Sequence, residues 1–174
     1  MQKRTFLFSL AALATQPALA LYDSKPNSLL ENATGSWKGT LTYRDYQNPD
    51  KMVLLPTRLA VSMIGPDELA LYYVFDDGPG KIVYSYERML FNVLKGELIW
   101  ASGITKPTSN TYRVTAATSA DRTSKISFEK AADSGVDRYT LEISPRAWTL
   151  SKIEIKSSGA ETLRSKYEFI KSDV

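Results

Sequence analysis

The residues best equipped for chemistry lie between Ile82 and Arg88. Tyr84, Tyr86 and Arg88 recur at every second position, which places them together on one face of an extended segment. Rings with hydroxyls beside a forked guanidinium make a binding set: the rings suit an apolar body, the guanidinium a carboxylate or phosphate head. Tyr43 and Tyr73, on strand-like runs of their own, are further candidates for the same lining. The assignment depends on register. A step of one residue sends Arg88 to solvent, brings Glu87 inward and reverses the preferred ligand charge.

Two other groupings carry less. Asp76-Asp77-Gly78-Pro79-Gly80 has the composition of an acidic metal loop but not the ligand spacing of a calcium site. Asp and Gly are also what a tight hairpin turn requires. Glu87 and Glu97, on neighbouring runs, form a candidate carboxylate pair of the glycosidase kind, although outward, solvated carboxylates are the commoner arrangement.

The chain contains neither histidine nor cysteine. Ser-His-Asp triads, cysteine nucleophiles, zinc sites built on His or Cys and histidine-ligated haem are therefore excluded. With no other catalytic motif visible, the expectation is a protein that is not an enzyme and uses no cofactor or metal. The whole chain has 22 Lys and Arg against 19 Asp and Glu. No basic stripe is present, which argues against nucleic acid as a partner.

Residues 1–20 read as a secretory leader: Lys3 and Arg4 at the start, an apolar run from Phe6 to Ala14, and Ala18-Leu19-Ala20 as a small-x-small cleavage site. The apolar run is too short to span a membrane. An exported protein follows, periplasmic or secreted, whose domain covers residues 21–174. Without Lys3 and Arg4 its net charge falls to +1. With no cysteine, no disulfide holds it together, so the packed core must. Its length suits one domain with a full core, and a monomer is expected.

The elements that must position the tyrosines are strands. From Trp37 onward about ten strand-like runs alternate with turn signals, leaving no room for crossover helices. The fold class expected is all-β, a single antiparallel up-and-down β-barrel of about 8–10 strands. Asn27 to Asn32 supplies a short N-terminal capping helix. Ala116–Ala120 and Lys130–Ser134 hint at helix but are too short to matter.

The first run opens Gly35-Ser36-Trp37-Lys38, with Trp37, Leu41 and Tyr43 on one face. This opening resembles that of the lipocalin-like (calycin) β-barrels, whose fatty-acid-binding branch begins Gly-Thr-Trp-Lys. The resemblance implies an indole plugging the closed end of a barrel that holds a small apolar ligand. It also implies an arginine from the last strand packed across that indole. Arg164 is the candidate, although Leu163, Tyr167 and Phe169 on one face would turn it outward.

The expected function is an exported, non-catalytic binding protein for a small amphipathic or lipid-like ligand. The alternative is an envelope protein-protein interaction module with a filled core. A third reading, an outer-membrane barrel, fits poorly with Arg113, Lys125 and Lys152 on the strands.

Overall fold

The computed structural model describes residues 28–172. The expected leader, its cleavage site and the export they imply lie outside these residues. Ten strands follow a 3-10 turn at Ser28–Leu30, with a second such turn, Val93–Lys95, joining the fourth strand to the fifth. They are β1 (Gly35–Arg44), β2 (Met52–Gly65), β3 (Glu68–Asp76), β4 (Ile82–Asn92), β5 (Glu97–Ser102), β6 (Thr108–Ala120), β7 (Thr123–Ala132), β8 (Gly135–Ile143), β9 (Ala147–Lys156) and β10 (Glu161–Lys171). Each pairs antiparallel with its neighbour in sequence, and β1 pairs with β10 to close the barrel. The segments with helical hints at Ala116–Ala120 and Lys130–Ala132 lie in β6 and β7, where pairing on both sides overrides weak local propensity.

Period-two alternation builds the interior. Along β2, Thr57, Leu59 and Val61 are buried while Arg58, Ala60 and Ser62 face out. Their cross-strand partners Phe75, Tyr73 and Leu71 continue the same inner layer. β3 departs from strict alternation, since Ala70 is buried between Leu69 and Leu71. Ala70 sits opposite Arg88, whose guanidinium reaches Glu68 on the outer surface. A second outer group links Arg113 to Glu129, Glu129 to Arg138 and Arg138 to Glu161. The outer wall thus carries charge where a membrane barrel presents an apolar band. No helix among the described residues is long and apolar enough to cross a membrane.

The two ends differ. At one, Trp37, Leu69, Phe91, Leu98, Trp148 and Phe169 pack into a solid floor. The N-terminal turn adds Leu30 and Ala33, both buried. The indole Nε1 of Trp37 donates to the Ala33 carbonyl at 3.1 Å. This turn also braces a hairpin: Asn32 Nδ2 donates to the Arg122 carbonyl at 2.8 Å. Asp121 and Arg122 both have positive φ, 50° and 62°, a pairing that suits a two-residue hairpin turn but disfavours residues with a Cβ.

At the other end the strands open under the loops 45–51, 77–81, 103–107, 133–134 and 157–160. β1 bends sharply over β10 at Gly39, where a Cβ would stand 1.8 Å from the Glu168 carbonyl oxygen. Only glycine allows that approach.

Candidate ligand-binding site

The open end leads into two adjoining chambers, of about 320 Å³ and about 240 Å³. They share Tyr43, Tyr46, Ser165 and Tyr167 as a common wall. Leu41, Leu55, Phe75, Val83 and Asp77 complete the first; Trp100, Tyr139, Leu150, Lys152 and Arg164 complete the second. Eight different strands and two loops deliver these side chains, so no short motif marks them. Tyr139 stacks on Phe128, with centroids 5.2 Å apart, and meets Tyr112 edge-on at 5.3 Å. Burial pushes the Tyr139 hydroxyl up to about 12, so it stays protonated and can donate.

Charge at the mouth is internally balanced. Lys152 Nζ lies 2.7 Å from Asp137 and 3.7 Å from Glu154, and Arg164 Nε lies 3.6 Å from the same Glu154. The Arg164 guanidinium also covers the Tyr46 ring at 4.1 Å.

Beside the chambers sits an acid with no cation. Glu87 points inward from β4, one register step from Met89 and Phe91, which fill the core. Its Oε2 accepts from Trp100 Nε1 at 2.8 Å and its Oε1 from Ser85 Oγ at 3.4 Å. Burial raises its pKa, and these two hydrogen bonds oppose the rise. Among the described residues, no ion pair involves it. Tyr73 is fully buried with its hydroxyl unpartnered, and its ring lies 5.3 Å from that of Tyr167. Burial drives the Tyr73 hydroxyl well above its ordinary pKa, and the Glu87 charge adds to the effect. Tyr167 is raised by the same two causes, in the same order.

The sequence-derived lining divides between the two faces. Tyr43 and Tyr73 point inward. Tyr84, Tyr86 and Arg88 do not, and their expected inward projection is corrected. Tyr84 is 75% exposed, Tyr86 packs on the outer Tyr72 with centroids 4.7 Å apart, and Arg88 bonds Glu68. The cause is register: β4 turns Ser85, Glu87 and Met89 into the barrel. Glu97 faces away from the interior, because Leu98 takes the inner position on β5. Its cross-strand partner Asn92 is five residues along β4 from Glu87, roughly 17 Å at strand rise. The pair is not a glycosidase site.

The Asp76–Gly80 segment is a turn. Asp76 Oδ1 accepts from the Gly78 amide at 3.3 Å, and Asp77 pairs with Lys81.

Trp37 is buried at the closed end, and Arg164 does not cover it. A β-bulge between Leu163 and Ser165 turns Leu163 outward and Arg164 toward the mouth, at the opposite end of the barrel. Lys171, directly across from Trp37 in the ladder, holds its Nζ 5.0 Å from the indole centroid instead. Sequence reasoning missed Trp100, placed Tyr167 inward without assigning it to the lining, and held an inward Glu87 only as the one-residue register alternative. The available signal was Met89-x-Phe91: two large apolar residues in phase with Glu87.

No protein-family model and no curated protein matches this sequence. Solved structures share its fold. Rv2717c from M. tuberculosis superposes with a TM-score of 0.59 at 9% identity, over 86% of this chain and 99% of that one. The S-type phycobiliprotein lyase CPES from Guillardia theta gives 0.53 at 8% identity, over 83% and 90%. The class of protein is thus a closed, ten-stranded, lipocalin-like antiparallel barrel. One expectation is overturned here. A barrel of this fold is named a lyase, so missing histidine, cysteine and motif do not mark such a chain as non-enzymatic.

Proposed function

We propose that this chain is an exported binding protein that admits a small amphipathic molecule through the open mouth and holds it among the interior tyrosines. The observation that carries the reading is the pair of joined chambers behind the mouth, together about the size of a small ligand. Aromatic rings supply much of their lining, and the charged groups Asp77, Lys152 and Arg164 border it, a mix of apolar wall and polar anchors that suits an amphipathic molecule. The solid floor under Trp37 supports entry from the mouth alone. That a barrel of this fold is named a phycobiliprotein lyase agrees with an interior used for a small molecule. Export rests on the leader-like residues 1–20.

Native mass spectrometry of protein purified from its own source tests the reading. A retained small molecule, removed by mild organic extraction and restored by titration, is the expected result. Protein of bare polypeptide mass that also fails to bind the neutral dye Nile red saturably would refute it.

A second reading, an envelope interaction module, draws on a hollow of about 840 Å³ on the outer wall. It is flanked by Tyr84, Ile82 and Ile170, all exposed. Tyr84→Glu with Ile170→Glu separates the two: dye binding survives, and only a contact between proteins is lost.

A further inference from the structure

We propose that the acceptor group formed by Glu87, Tyr73 and Tyr167 receives the N–H end of the ligand, and that a protonated primary amine is the preferred head. The inference rests on the interior-binding reading and adds the chemistry of the polar end. Glu87 is joined to the chambers through Trp100, which lines one and donates to the carboxylate at 2.8 Å; its charge is also felt by Tyr167, which lines both. Each carboxylate oxygen takes a single neutral donor, one of them at a long 3.4 Å, whereas an ionised carboxylate has about four acceptor sites. The Tyr73 hydroxyl has no partner despite full burial, and buried polar groups without partners are uncommon and costly.

An ammonium group carries three donors and no acceptor. It satisfies Glu87 by charge and can give its other protons to tyrosine oxygens. A ligand carboxylate would instead meet a like charge in a poorly solvated site. The cations that line the second chamber, Lys152 and Arg164, are already engaged by Asp137 and Glu154, so they do not offset Glu87. Burial keeps the carboxylate reluctant to ionise, and an incoming cation reverses that, so binding and proton release are coupled.

Displacement of Nile red by decylamine, decanol and decanoate at pH 7 tests the head group. Wild type is expected to bind the amine at least about tenfold more tightly than the alcohol, with the acid weakest. Glu87→Gln should erase the preference for the amine over decanol. In wild type, the 13C shift of the Glu87 carboxyl should move on adding decylamine and not decanol, which keeps the test independent of how the variant folds. Equal affinity for amine and alcohol, or an unmoved carboxyl signal, overturns the inference while the binding cavity stands. Failure of Nile red and all three competitors overturns both.

Discussion

Replacing Trp37 by alanine tests whether the closed end is a packed plug. The side chain is 1% exposed and stands under a floor that includes Phe169 and Trp148. Its indole holds the N-terminal turn through the 3.1 Å bond to the Ala33 carbonyl. Truncating a buried aromatic costs about 3–5 kcal/mol, from lost transfer energy and the cavity left behind. The orphaned Ala33 carbonyl, itself in a fully buried residue, pushes the value toward the upper end. Trp37→Phe keeps most of the volume and removes only the N–H, so about 1–2 kcal/mol is expected. Domains of this size have total stabilities of about 5–15 kcal/mol, so the alanine variant should be visibly weakened. Urea unfolding followed by circular dichroism gives both values, with an unchanged slope indicating that the unfolded state is not altered. Faster amide exchange at Ala33 in the alanine variant should accompany the loss. A cost below about 1 kcal/mol for Trp37→Ala would refute the plug, because no buried aromatic wedge is removed so cheaply.

Gly39→Ala should destabilise more than Gly78→Ala in the same assay. A Cβ at Gly39 meets the Glu168 carbonyl oxygen at 1.8 Å, whereas one at Gly78 meets nothing within 4 Å and bears only its φ of +106°. Equal costs would mean that β1 and β10 can separate freely at that point. Glu87→Gln should change how stability depends on pH. Burial raises the folded-state pKa of Glu87, so its contribution is fully present below the unfolded value of about 4.3 and is lost as pH rises through the folded one. The groups facing it are Ser85 on its own strand, Tyr73 on β3, Trp100 on β5 and Tyr167 on β10, none of them cationic. Wild type should therefore lose stability relative to the glutamine variant as pH rises from about 4. A difference in urea midpoint that is flat or inverted over that rise would show that the carboxylate is compensated.

Much of this architecture was legible in the residues themselves. Ten alternating runs, each bounded by Gly, Pro, Asn or Asp, define ten antiparallel strands, because a strand with one buried face must alternate and its turns need those residues. The resemblance carried by Gly35-Ser36-Trp37-Lys38 implied an indole at the closed end, where Trp37 is buried. The site was less legible. On β4 both faces are mixed, Tyr84 and Tyr86 against Ser85 and Glu87, so local composition favoured the aromatic face as the interior. Tertiary closure decided otherwise: Met89 and Phe91 are needed in the floor, and a period of two then carries Glu87 inward and Arg88 out. On β10 a single bulge inverted the phase again, sending Arg164 to the mouth and leaving Trp37 to Lys171. Alternation is a local property of one strand, which any chain reveals residue by residue. Which face becomes the inside is a property of ten strands closing at once, and it emerges only when every pairing register has to agree.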